Sequence, residues 1–125
     1  MTLDARILSV FHAKAGETVG YGATHTLDGN TALATVALGY ADGIPRSGSD
    51  TLIAYLDGTP CPVLGRISMD LITIDVSKAQ GVAKSGARVE FLGAHAKLED
   101  QAARAGTLGY ELLTGLSNRV ERVYP

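Results

Sequence analysis

A single cysteine, Cys61, stands among the 125 residues of the chain. It excludes an intramolecular disulfide framework, and the three widely separated histidines, His12, His25 and His95, leave none of the usual zinc-ligand spacings. Long apolar runs are missing as well. The longest stretch without a charge, residues 29–41, is broken by Gly, Asn and Thr and falls short of the roughly 18 to 20 residues that span a bilayer. No segment is dense in basic residues, and 11 Lys plus Arg against 13 Asp plus Glu give a net charge of −2, so neither nucleic acid nor an anionic membrane surface is expected as a partner. Several catalytic signatures are absent too: there is no glycine-rich phosphate loop followed by Lys and Ser or Thr, no G-x-S-x-G and no H-E-x-x-H. The four lysines, Lys14, Lys78, Lys84 and Lys97, lie in polar, turn-like or helix-start surroundings, and none reads as the desolvated amine of a Schiff-base nucleophile. Asp4 and Arg6 occupy the place where an export signal would carry its apolar stretch, which makes a reducing cytoplasm the expected compartment.

What is present is a foldable, β-rich chain. At 46% hydrophobic and 19% charged it is too apolar for disorder, and its length suits one domain but is about half that of an eight-stranded α/β barrel. Fifteen glycines, spread along the chain, punctuate short runs rich in Val, Ile, Leu, Thr and Tyr. The runs predict strands at 3–13, 31–38, 52–56, 61–67, 71–76, 88–92 and 119–124. Asp57-Gly58 between two of them is a strong hairpin signal. The period changes near the end: residues 98–105, with Glu99 and Asp100 in the first turn, and residues 109–116 read as short helices. The expected fold is mainly β, an antiparallel Greek-key-like barrel, closed or nearly so, with one or two short helices near the C-terminus. The polar segment 77–87 is expected to continue a meander.

Candidate chemistry gathers around tyrosines in glycine-bearing loops. Tyr21 lies between Gly20 and Gly22, Tyr40 follows Gly39, and Tyr110 follows Gly109. Flanking glycines remove neighbouring Cβ atoms and let a ligand approach the phenol, although on spacing alone Tyr21 reads first as a rim or core tyrosine beside a bulge. A phenol ionises near pH 10, so acting as a base near neutrality needs about 4 kcal/mol of help from cations or hydrogen-bond donors. In Gly65-Arg66-Ile67-Ser68-Met69-Asp70 an arginine and a carboxylate lie within a few residues at a strand end, and Asp42 and Arg46 flank Gly43 and Pro45. Each is ordinary surface or turn chemistry when read alone. Cys61, between two prolines, reads as a small buried hydrophobe, and the histidines as routine hydrogen-bonded ones.

In order and spacing, Val19-Gly20-Tyr21-Gly22-Ala23-Thr24, Leu38-Gly39-Tyr40-Ala41-Asp42-Gly43 and Val63-Leu64-Gly65-Arg66-Ile67-Ser68-Met69-Asp70 resemble the C-terminal domain of the alanine racemase family. Leu108-Gly109-Tyr110-Glu111 and the segment 119–124 extend the likeness to the chain end. The resemblance implies a β domain that follows an N-terminal α/β barrel carrying pyridoxal phosphate on a lysine, assembled as a homodimer that interconverts L-alanine and D-alanine for peptidoglycan. It implies that Tyr21 is the catalytic base for the L-alanine α-proton in the partner subunit's site. The Met69 N–H would bind the substrate carboxylate with Asp70 beside it, Tyr110 would meet the cofactor phosphate, and Tyr40, Arg46 and Arg66 would line an entrance corridor. Ser68 stands where other members often carry cysteine. A non-catalytic β-barrel module for association or small-ligand binding is the alternative, and serine or basic amino acids remain alternative substrates.

Overall fold

The computed structural model describes residues 2–20 and 22–116, so Tyr21 and the expected strand 119–124 lie outside the described residues. The elements run β1 Leu3–Ala13, β2 Thr18–Val19, β3 His25–Thr26, β4 Thr31–Val36, β5 Ile53–Leu56, β6 Thr59–Pro62, β7 Ile72–Asp75 and β8 Arg88–Leu92, followed by helices α1 Leu98–Arg104 and α2 Gly109–Thr114. Six strands form one antiparallel sheet in the order β6-β5-β8-β1-β4-β7. An isolated bridge between Val63 and Ile74 brings its two ends together, so the sheet is nearly closed into a barrel.

The partial alternation of β1 has a physical cause. Leu3, Ala5 and Ile7 point into the barrel, but the register against β4 slips between Ile7 and Ser9, and beyond that bulge Val10 packs on the core instead. Ile7, Ala34, Val36, Ile72, Ile74, Val89 and Phe91, each at most 2% exposed, form the centre of the core. Each large side chain among them contributes about 1.5–3 kcal/mol by burial. The β5–β6 hairpin follows its sequence signal: Leu56 faces Thr59, so Asp57 and Gly58 alone make the turn, both at positive φ (51° and 79°), the primed geometry that matches strand twist.

Two expectations are corrected. The meander does not continue, because β8 lies between β5 and β1 while β7 lies beyond β4; the connection 76–87 crosses the barrel end, held by Gly86 N–H to Ile7 C=O and Ile7 N–H to Ala87 C=O. The predicted strand 61–67 is instead β6 at Thr59–Pro62 followed by an irregular strap. The tight turn lets pairing start at Thr59, Pro60 and Pro62 suit an edge strand, and Gly65 at φ 76° turns the chain out of the ladder.

The short strands β2 and β3 were not foreseen. They pair over the outer side of the sheet, where Ala13, Val19, Leu27 and Leu33 form a second buried cluster with Leu64 packed against it. β4 is therefore buried on both faces, Ala32, Ala34 and Val36 inward and Leu33 outward. Where β5 and β8 separate beyond the Tyr55–Glu90 pair, the buried Gln101 of α1 takes over the missing rungs. Its Nε2 donates to the carbonyls of Ile53 and Phe91, both at 2.8 Å, and its Oε1 accepts the Ile53 N–H at 3.3 Å.

Candidate functional site

Three loops meet at one edge of the barrel: 19–24, between β2 and β3; 39–50, after β4; and the strap 65–70. The first carries Tyr21 in sequence and contains a turn closed by the Ala23 N–H on the Gly20 carbonyl at 2.9 Å. Gly20 packs backbone to backbone on Gly65: a Cβ on Gly20 would come within 2.7 Å of the Gly65 Cα, and one on Gly65 within 2.7 Å of the Val19 carbonyl oxygen. Both residues have positive φ, 86° and 76°, so glycine is required here by conformation and by space. The Arg66 guanidinium passes beside Gly22, within 3.8 Å of where a Cβ on Gly22 would stand.

The strap is held by side-chain oxygens from the other loops. The Gly65 N–H donates to Asp50 Oδ1 at 2.6 Å, the Arg66 N–H to Thr24 Oγ1 at 2.9 Å and the Ile67 N–H to Ser49 Oγ at 2.9 Å; the Ser68 N–H then reaches the Leu71 carbonyl at 3.1 Å. After these four satisfied donors the N–H of Met69 makes no hydrogen bond among the described residues, and Met69 is half exposed. Its carbonyl accepts the Ala41 N–H at 3.0 Å and the Ser68 carbonyl the Tyr40 N–H at 3.0 Å, which fixes the strap against the second loop. A Cβ on Gly39 would overlap the Met69 carbonyl oxygen.

In the second loop the buried Asp42 carboxylate accepts the Gly39 N–H at 3.0 Å and holds the short 3₁₀ turn Tyr40–Asp42, as its turn-forming composition suggested. Arg46 lies over the Tyr40 ring, its Cζ 5.2 Å from the centroid, a cation–π arrangement. Of the sequence-predicted site residues, Tyr40, Arg46, Arg66, Met69 and Asp70 thus sit on loops that touch. Tyr110 is apart at the start of α2, its side chain directed outward with 78% exposure, although the end of that helix packs on Gly43. Ser49 and Asp50 were missed by sequence reading, with the clustered Ser-Gly-Ser-Asp at 47–50 the available signal, while Thr24 and Gly65 stood in the quoted segments without an assigned role.

Elsewhere the titratable groups have local roles. The Cys61 thiol is fully buried; burial, with the Asp75 charge adding to it, pushes its pKa up to about 11, which leaves it inert. Burial alone would raise the Glu90 carboxyl, but the N–H groups of Ala96 (2.6 Å) and His95 (2.8 Å) and the His95 ring outweigh it and hold it below its ordinary value. His25 pairs with Asp50 at 2.9 Å and His95 stacks on Tyr55, whereas His12, expected to be hydrogen-bonded, is exposed on β1 with no such bond among the described residues. All four lysines are exposed, and none belongs to the three loops. A cleft of about 300 Å³ lined by Asp4, Tyr55, Asp57, Arg88, Glu90 and His95 shares no residue with them. No helix among the described residues is long and apolar enough to cross a membrane, and no cluster there could hold a metal.

The model of the alanine racemase C-terminal domain family matches residues 1–124. Alanine racemase of Brucella canis is 47% identical over 125 residues, covering 99% of this chain and 32% of that protein. A catabolic alanine racemase of Rhizobium johnstonii is 44% identical, covering 99% of this chain and 33% of its own length. Among solved structures, alanine racemase from Acinetobacter baumannii superposes with a TM-score of 0.92 at 45% identity over 98% of this chain and 34% of that one. The enzyme from Bartonella henselae, with covalently bound pyridoxal phosphate, gives 0.94 at 35% identity over 99% of this chain and 34% of that one. The chain thus spans about a third of the length of the relatives it matches. Sequence and fold agree along nearly the whole length, and the chain belongs to the alanine racemase C-terminal domain family.

Proposed function

We propose that this chain is the C-terminal part of a pyridoxal-phosphate-dependent alanine racemase that interconverts L-alanine and D-alanine. In this reading the protein is a cytoplasmic homodimer that supplies D-alanine for peptidoglycan, and an N-terminal α/β barrel completes each polypeptide. The observation that carries the reading is the backbone-to-backbone union of the loops that bear Tyr21, Tyr40 and Met69.

The residues fit a site completed from outside. The Met69 N–H, without a hydrogen bond among the described residues, is a ready donor for a substrate carboxylate, and the strap behind it is immobilised by four hydrogen bonds, so the donor is held in place before binding. Asp70 stands beside it at the exposed surface. The outward phenol of Tyr110 suits a hydrogen bond to the cofactor phosphate across a domain boundary. With every lysine exposed and outside these loops, the amine that binds the cofactor carbonyl belongs to the barrel domain. Pyridoxal phosphate, when bound, supplies the electron sink that makes the α-proton removable.

Tyr21 takes the α-proton of L-alanine on one face of the substrate and a base of the barrel domain serves the other face; for D-alanine the roles reverse. Tyr40 with Arg46 stacked on it, and Arg66, form a corridor of phenol and guanidinium groups that admits a small zwitterion and excludes bulky side chains. In the full-length enzyme, Tyr21→Phe is expected to slow exchange of the L-alanine α-hydrogen in deuterated water by about 10²–10⁴-fold; an unchanged rate removes Tyr21 from the mechanism. The 125-residue chain alone is expected to form no Schiff base with pyridoxal phosphate, which absorbance of the mixture checks.

A further inference from the structure

We propose that the edge of β1 beyond Leu8 is the seat of one more strand, supplied by the N-terminal part of the same polypeptide. The inference rests on the reading above only in taking a further domain to precede the chain. β8 pairs with β1 over Leu3 to Arg6. The connection 76–87 then occupies that edge, through its two bonds to Ile7 and the Ser85 hydroxyl on the Leu8 carbonyl at 3.2 Å. Beyond Leu8 no element follows on this side among the described residues.

The direction of the backbone groups follows from β4. The Ala32 carbonyl accepts the Val76 N–H at 2.9 Å and the Ala32 N–H donates to Ser77 Oγ at 3.1 Å, so both point away from β1. Opposed residues of an antiparallel pair exchange both bonds or neither, and His12 opposes Ala32. The N–H and C=O groups of His12, and by the same alternation those of Val10, therefore face the open edge. None of them is hydrogen-bonded among the described residues.

The side chains agree with a missing strand. Leu8 at the bulge and Phe11, on the outer face opposite Leu33, are 51% and 40% exposed, and Val10 packs on the main core yet stays only partly buried. Free edges are commonly blunted by prolines or charges, as Pro60 and Pro62 blunt β6, and residues 8–13 carry neither. In strand addition the main-chain bonds supply affinity and alternate side chains the fit, so the occupant is an extended segment with apolar side chains on both faces. The core around Val10 calls for a permanent cover. This chain spans about a third of the length of its relatives, and a segment tethered to it acts at high effective concentration, which assigns the edge to the same polypeptide.

The test uses the full-length protein and hydrogen exchange resolved to single residues. Phe11 and Ala13 face β4 and are expected to exchange slowly, which reports a folded β1. Val10 and His12 are expected to exchange at least about a hundredfold slower than unstructured amides. An alternating pattern, Phe11 and Ala13 slow with Val10 and His12 fast, overturns the proposal. The occupant is read by photo-crosslinking from Phe11→p-benzoylphenylalanine in a mixture of isotope-labelled and unlabelled protein. Links to a peptide that precedes this chain, within one isotopic form, are expected. Links between labelled and unlabelled protein mark a second copy and links to another protein a foreign partner; either of these, or no link to a preceding peptide, overturns the proposal. Failure of the racemase reading is separately visible, as full-length protein that leaves the α-hydrogen of L-alanine unexchanged in deuterated water.

Discussion

The inside of the barrel and its loop-bearing edge are built from different interactions. Inside, Ile7, Val36, Ile72, Ile74 and Phe91 are held by apolar burial and regular ladders, with no buried side-chain polar atom left unpaired among the described residues. At the edge only Ile44 of the second loop and Ile67 of the strap reach into the main core. Order comes instead from side-chain oxygens of Thr24, Asp42, Ser49 and Asp50 on backbone N–H groups, and from glycines that let main chains touch. The first kind of order is spread over many contacts and sets stability; the second is concentrated in few and sets geometry.

The sharpest test of that division pairs two substitutions. Ile74→Ala is expected to destabilise the chain by about 2–5 kcal/mol, measured by denaturant unfolding. Gly65→Ala, whose Cβ would collide with the main chain of Val19 and Gly20, is expected to cost only about 1–2 kcal/mol for the left-handed backbone once the loops part. On the racemase proposal, the same change in the full-length protein is expected to lower turnover by about a hundredfold. If Gly65→Ala unfolds the chain as severely as Ile74→Ala, the two regions are not separable. Next in size is Gln101→Ala, which strips the Ile53 and Phe91 backbone groups of their substitute rungs and is expected to cost about 1–3 kcal/mol by the same unfolding measurement.

The smallest effect is electrostatic. The Glu90 carboxyl is held below its ordinary value in the folded state, so its contribution is fully present above the ordinary glutamate range and is lost as pH falls through the lowered folded value. Unfolding midpoints measured downward from neutral pH should fall in acid, and Glu90→Gln should flatten that slope. A variant with the same acid slope as the parent would show that Glu90 does not carry it.

Much of the barrel could be read from the chain because its signals are local. Asp57-Gly58 names a two-residue turn, the alternation of residues 31–36 names a strand, and Glu99 and Asp100 mark a helix start. The Tyr21, Tyr40 and Met69 segments, ordinary when read one by one, could be picked out together by their resemblance to the family. Their supports could not, since Asp50 and Gly65 are 15 positions apart, Thr24 and Arg66 are 42 apart, and none of these pairings has a periodic signal. The same limit explains the lost meander: residues 77–87 look like any polar connection until β8 is seen to lie between β5 and β1.

By itself the sequence determined the β-rich class, the hairpin and the late helices, because side-chain size, backbone permissiveness and period-two patterning act between near neighbours. Strand order, the β1 bulge, the Gln101 rungs and the Asp50 bond to Gly65 were decided only in three dimensions. Each depends on which distant backbone groups are left to be satisfied once the sheet has curled and its hydrophobic interior has closed.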